Sequence, residues 1–168
     1  MSSAASPQVT PDEFRRACGR FATGVTIAGV SDRNGTPHGL TVSSFTSVSL
    51  EPPLLLICLG HAVTSIEVFR AADHFGLSVL TDEQRHIAER FARKGEDRFD
   101  GIQWHRGETG VPLIADTLAE MECAVEQRVT SGDHDIVIAR MARAVVRDGS
   151  PLIYYGSRYR NLSRDDHG

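Results

Sequence analysis

The segment from Ala119 to Val129 constrains this chain more than any other, because its apolar residues recur at alternate positions. Ala119, Met121, Cys123, Val125 and Val129 fall on one side of that period, and Glu120, Glu122, Glu126 and Arg128 on the other. A helix would scatter these residues around its axis, whereas a strand sorts them into an apolar face and a wet face. Ser131-Gly132-Asp133-His134 then supplies turn chemistry, and Ile136 to Val146 returns as the partner strand. A long hairpin cannot cover its own apolar face, so the rest of the chain must provide more sheet.

It reads that way. Val25 to Val30 is strand-like, Asp32-Arg33-Asn34-Gly35 is a hairpin turn, and His38 to Ser43 returns. Ser44 to Leu50 continues until Glu51-Pro52-Pro53 breaks the pattern, and the apolar run Leu54 to Leu59 predicts a strand buried on both faces. His74 to Leu80 and Leu152 to Tyr155 add two more. Helices are few. Thr10 caps one that opens at Pro11 and forms a capping box with Glu13, with Phe14, Ala17, Cys18 and Phe21 on one face. A short helix is expected over Thr64 to Ala71, and Thr81 with Gln84 opens another that runs to about Arg93. Lys94 to Pro112 carries four glycines, lacks periodicity and has the length of a functional loop. The expectation is a mainly β (α+β) antiparallel barrel with helices at its rim. It forms one domain over residues 10–162, between a disordered tail at 1–9 and a polar tail at 163–168.

Composition narrows the partners. A formal charge of -4 lacks the basic excess that nucleic acid would demand. Cys18, Cys58 and Cys123 are odd in number and far apart, which argues against a disulfide framework. Met1 to Pro11 has no secretory signal pattern, and Leu54 to Leu59 is too short to span a membrane. A reducing, cytoplasmic compartment is expected. No G-x-G-x-x-G follows a strand, no Walker A or G-x-S-x-G is present, and the seven histidines lack metal-ligand spacing, so no metal is expected.

Three segments carry possible chemistry, and each has a plain structural alternative. Thr41 to Ser49 is dense in hydroxyls that suit the polar edge or phosphate of a ligand such as flavin, or merely cover a wet edge. Arg90 to Phe99 mixes cations with two aromatics, fit for a flat anion or for a solvated helix end. Gly132-Asp133-His134 places an imidazole beside a carboxylate at a hairpin tip, where it can bind a carboxamide or simply belong to a turn.

In this order the segments resemble the flavin reductase-like, FMN-binding split-barrel family. The similarity runs from about Phe14 to Leu162. It includes Phe21-Ala22-Thr23-Gly24-Val25-Thr26, Gly39-Leu40-Thr41-Val42-Ser43-Ser44-Phe45, Ser47-Val48-Ser49-Leu50-Glu51-Pro52-Pro53, Phe91-Ala92-Arg93-Lys94, Asp97-Arg98-Phe99, Gly132-Asp133-His134 and the closing Tyr154 to Arg160. The resemblance implies a six-stranded antiparallel split barrel that dimerises. It further implies an enzyme that moves hydride from NADH to N5 of an exchangeable FAD or FMN and supplies a partner monooxygenase. Thr41, Ser43, Ser44 and Ser47 would line the flavin, and the Cys58-Leu59 backbone would face its ring. Ser65 would lie near the phosphate, while Lys94, Arg98 and Phe99 would grip the phosphate side or cover the ring. His134 would contact the nicotinamide, and Gly24, Val25, Val42, Gly60, Asp133 and Tyr159 would complete the cofactor surface. Gly60-His61-Ala62-Val63 departs from the Asn, Ser and Arg common in relatives, which leaves FMN against FAD open. Two alternatives keep the barrel but not the reaction: a pyridoxamine-phosphate-oxidase-like oxidase, or a flavin- or haem-binding module.

Overall fold

The structure is a computed structural model that describes residues 9–95 and 97–162. Of the tail expected at 1–9 only Val9 is described, exposed and outside any element; residues 1–8 and 163–168 lie outside the described residues. In chain order the elements are α1 (Pro11–Cys18), β1 (Thr23–Gly24), β2 (Thr26–Ser31), β3 (Pro37–Val42), β4 (Thr46–Ser49), β5 (Leu54–Gly60) and α2 (Ile66–Ala71). There follow β6 (His74–Val79), a 3-10 turn (Asp82–Gln84), α3 (Arg85–Ala92), β7 (Trp104–Arg106), β8 (Pro112–Ile114), β9 (Ala119–Ser131), β10 (His134–Val146), β11 (Leu152–Tyr155) and β12 (Arg158–Asn161).

The long hairpin is the spine. β9 lies between β6 and β10 in a main sheet of order β3-β2-β6-β9-β10-β5-β4, antiparallel throughout. This is the mainly β architecture that the sequence predicts, with seven strands in its main sheet. β3 and β4 stand at opposite ends of the strand order, yet only Ser43-Ser44-Phe45 join them. Such a link reaches at most about 14 Å, so the sheet must curl until its two edges nearly meet. Ser44 marks the seam. Its hydroxyl accepts the Cys58 N–H at 2.9 Å and donates to the Cys58 carbonyl at 3.1 Å, without a ladder that would close the barrel.

Two apolar clusters result. One fills the curl, with Val30, Leu55, Ile57, Phe75, Leu77 and Val137 closed off by Ile66 and Phe69 of α2. The other lies under α3 and joins Val25, Ile27, Leu80, Phe91, Phe99, Ile114 and Leu152. The strands buried on both faces are therefore β2 and β6, not Leu54–Leu59. In β5 only Leu55, Ile57 and Leu59 are buried, while Leu54, Leu56 and Cys58 are half-buried.

The wet face expected for β9 fails at its start: Glu120 and Glu122 are only 4% and 5% exposed. The cause is the segment read as an irregular loop, which contains the β7–β8 hairpin and lies over them. Glu122 accepts the backbone N–H groups of Glu108 and Thr109 (3.1 and 2.7 Å) and the Thr109 hydroxyl. Glu120 is held by Arg147 at 2.7 Å and His105 at 3.2 Å. Burial pushes the Glu122 pKa up, but the Thr109 and Glu108 donors and Arg143 outweigh it, so the net shift is below 4.5. A lowered folded-state pKa stabilises above the unfolded value and is lost as pH falls through it. Glu122→Gln is thus expected to cost about 1–3 kcal/mol near neutral pH, from stranded donors. The gap to the parent should narrow below about pH 4. Urea unfolding across that range checks this, and a pH-independent gap would contradict it.

α1 forms as expected: Thr10 N–H donates to Glu13 Oε2 at 2.9 Å and Glu13 N–H to Thr10 Oγ1 at 3.3 Å. The helix ends at Cys18, so Phe21 lies beyond it and not on its face, and among the described residues nothing buries that side: Phe14 is 63% and Phe21 77% exposed. Among the described residues no helix is long and apolar enough to cross a membrane.

Candidate functional site

The β9–β10 turn presents His134. Gly132 takes the left-handed conformation (φ 61°) that a tight turn needs, which leaves Asp133 and His134 at the tip. His134 Nδ1 stands 2.7 Å from Asp133 Oδ1, and that bond holds the Asp133 carboxyl below its ordinary range. The other ring nitrogen hangs over β5, where a Cβ on Gly60 would come within 3.4 Å of Nε2.

Beneath this turn lies a charge cluster. Asp135, only 4% exposed, accepts from Arg70 Nε of α2 at 2.7 Å and from Thr130 Oγ1 of β9 at 2.9 Å, and pairs with His61 Nε2 at 2.9 Å. Arg70 first, then His61, hold its carboxyl far below the usual carboxylate range. His61 also donates its backbone N–H to the Asp133 carbonyl at 2.9 Å. One buried carboxylate thus ties the β5–α2 turn, α2 and the His134 turn together. His61 stood out in the sequence only as a departure from the family pattern, and Asp135 and Arg70 carried no signal.

A cavity of about 470 Å³ opens between the start of β3, the α2 N-terminal segment and the segment before Phe99. Of the residues expected at the cofactor, Ser65, Arg98 and Phe99 meet there. His38, Gly39, Thr64 and Val68, which the sequence reading did not assign to a ligand, complete much of its wall. Of the three buried side-chain polar atoms without a partner among the described residues, Ser65 Oγ and Arg98 Nε belong to this wall, and the third is Thr23 Oγ1. Burial draws the Arg98 pKa down, while its Nη1 donates to the Gly39 carbonyl at 2.6 Å. Gly39 is glycine for space, since a Cβ would sit 2.7 Å from Phe91 Cε1. A hydroxyl and a guanidinium N–H in one cavity, both buried without acceptors, suit an oxyanion such as phosphate.

Other expected residues lie elsewhere. Thr41 donates to the Ala88 carbonyl of α3 at 2.7 Å, and Ser44 serves the seam. Ser43 and Ser47 are exposed beside it. Val25, Val42 and Leu59 bury their side chains in the two cores, so only their backbone is available to a ligand. Gly24 and Tyr159 belong to the small β1-β11-β12 sheet, where the Tyr159 ring packs 5.4 Å from that of Tyr154. Lys94 lines a second, more polar cavity. Among the described residues no cluster of three His, Cys, Asp or Glu side chains is set to hold a metal ion.

Comparison with known proteins adds to this geometry. The family model for the flavin reductase like domain matches residues 18–163. A probable flavin reductase of Rhizobium meliloti is 44% identical over 131 residues, covering 78% of this chain and 42% of that protein. The chain spans about half the length of the Rhizobium relatives it matches. A Streptomyces globisporus NADH:FAD oxidoreductase, solved with NAD and FAD fragments, superposes with a TM-score of 0.88 at 37% identity, covering 96% of this chain and 99% of that one. BorF, the flavin reductase component of a bacterial two-component tryptophan halogenase, superposes at 0.84 and 36%, over 91% and 98%.

Proposed function

The chain belongs to the flavin reductase-like family, and on that premise we propose that it reduces FAD or FMN with NADH and supplies reduced flavin to a separate monooxygenase. The observation that carries this reading is the cavity with two buried, unpartnered donors, Ser65 Oγ and Arg98 Nε. They are the groups a flavin phosphate would satisfy. Bound flavin supplies the hydride-accepting ring, so the chain's own task is to bind, orient and release. Ser65 and Arg98 hold the phosphate side. His134, fixed by Asp133 at Nδ1, orients the nicotinamide, and proximity is the main catalytic contribution. Lys94 adds charge at the phosphate side, and the backbone around Cys58, Leu59 and Gly60 walls the ring.

NADH oxidation that saturates with added flavin, followed by the loss of reduced-nicotinamide absorbance, tests the reading. No oxidation with either flavin and either nicotinamide cofactor would overturn it. His134→Ala is expected to raise the KM for NADH roughly tenfold, the size of one lost hydrogen bond, with flavin affinity little changed. An unchanged KM for NADH would remove His134 from the site.

The functional unit is a homodimer. Phe14 on α1, Phe21 just after it, Val48 of β4 and Leu50 (91% exposed) beyond that strand are large apolar side chains that a second copy would cover. A monomeric mass in solution would contradict this. The three cysteines are free thiols, which fits the reducing cytoplasm where NADH is available.

A further inference from the structure

Helix α2 is only six residues long, and its side chains serve three different neighbours. Ser65 at its start and Val68 line the first cavity. Ile66 and Phe69 are buried in the apolar cluster within the curl. Arg70 reaches the long hairpin, donating from Nε to Asp135 at 2.7 Å, while its Nη1 donates to Glu67 of the same helix at 2.8 Å. The hairpin takes a second hold on this end, since Arg128 of β9 donates to the Phe69 carbonyl at 3.2 Å and to that of Ala72. The other end differs. Ser65 occupies the cap position, yet its hydroxyl makes no capping bond, in contrast to Thr10 on α1, and is buried without a partner among the described residues.

Ser65 and Arg70 stand about 8 Å apart along the helix axis, a distance over which helical backbone is stiff. A ligand held by the Ser65 hydroxyl therefore steadies Arg70, and Arg70 steadies Asp135. Asp135 directly follows His134 in β10, and His61 joins both to the β5–α2 turn through the Asp135 carboxylate and the Asp133 carbonyl. Ordering imposed by a first ligand need not be supplied again by the second. We infer that Arg70 is a positioning residue that couples the two substrate sites: flavin seated at Ser65 steadies the His134 turn, so that nicotinamide binds more tightly to the flavin-loaded chain than to the empty one. This rests on the flavin reductase reading. Coupling between binding sites is reciprocal. Departure of the oxidised nicotinamide thus loosens the flavin, which suits a chain that hands its product on.

The test is calorimetric titration of the whole protein with NAD+, which binds without reducing, in the absence and presence of saturating FAD or FMN, whichever supports NADH oxidation. The ratio of the two NAD+ affinities is the coupling factor, and in the parent it is expected to be roughly fivefold or more. The Arg70 side chain is 37% exposed, so its replacement leaves the apolar core intact. Arg70→Gln is expected to bring the factor within about twofold of unity. Arg70→Lys, which keeps the charge without the fork, should fall between. A merely structural role would lower both NAD+ affinities together and leave their ratio unmoved. Stacking of nicotinamide directly on the flavin ring would also couple the sites, but without Arg70. An undiminished ratio in Arg70→Gln, or NAD+ affinity independent of flavin in the parent, would therefore overturn the inference while NADH oxidation persists. Failure of the reductase reading would appear instead as no NADH oxidation with either flavin, and would remove the inference with it.

Discussion

Phe99→Ala is expected to lower stability by about 3–5 kcal/mol, the range for a buried phenylalanine cut to alanine. Phe99 is 4% exposed and edge-packed between Phe91 (4.9 Å between centroids, 88°) and Trp104 (5.3 Å, 66°). Domains of this kind retain about 5–15 kcal/mol in total, so the loss threatens the fold itself. The preceding residue is Arg98, latched to the Gly39 carbonyl, and Gly39 is the residue whose missing side chain leaves room for the Phe91 and Phe99 rings. Removing the ring thus loosens the cavity wall together with the core. Phe99→Leu, which refills most of the space, should recover much of both. Urea unfolding alongside flavin titration separates this from a ring that covers flavin. In that case Phe99→Ala would lose flavin affinity and keep its stability.

Asp135→Asn is the second large effect, and it falls on function. The carboxylate is the shared partner of Arg70, His61 and Thr130, and it sits on the strand that begins with His134. The amide leaves Arg70 without its buried counter-charge and sets an NH2 against one of three existing partners. Asp135 touches no substrate and acts as a positioning residue, so the expected signature is a split. kcat/KM for NADH should fall on the order of tenfold to a hundredfold, as for a misplaced binding group, chiefly through KM. The KM for flavin should move less. Equal losses for both substrates would reduce Asp135 to a structural role. Because its folded-state pKa lies far below the usual value, its stabilising contribution is present above the ordinary carboxylate pKa and lost only in strong acid.

What the sequence could disclose depended on distance along the chain. The Thr10–Glu13 capping box and the β9–β10 hairpin are local patterns, and both appear as read. The Thr81–Gln84 box is also local, though a 3-10 turn precedes α3. Glu120 and Glu122 look like solvent-facing positions because alternation reports polarity, not what lies above it. Their cover comes from an aperiodic segment whose hairpin pairs Trp104 with Ile114. Asp135 was invisible because its partners stand 74 and 65 positions away. The first cavity draws on three stretches far apart in the chain, at residues 36–39, at 64, 65 and 68, and at 95 and 97–99, of which only Ser65, Arg98 and Phe99 were assigned to a cofactor. The α1 face was legible as apolar, but nothing among the described residues buries it.

The three-residue link between opposite sheet edges bears on how the protein is made. During synthesis β2 and β3 can pair as soon as they emerge, and so can β4 and β5. The first pair gains β6 next, but the second has no seat until the β9–β10 hairpin arrives to bridge β6 and β5. Until that hairpin is made the nascent chain therefore carries two separate pieces of apolar sheet with open edges, and holdase chaperones bind such surfaces. The seam at Ser44 is sealed only after the last of these strands has left the ribosome.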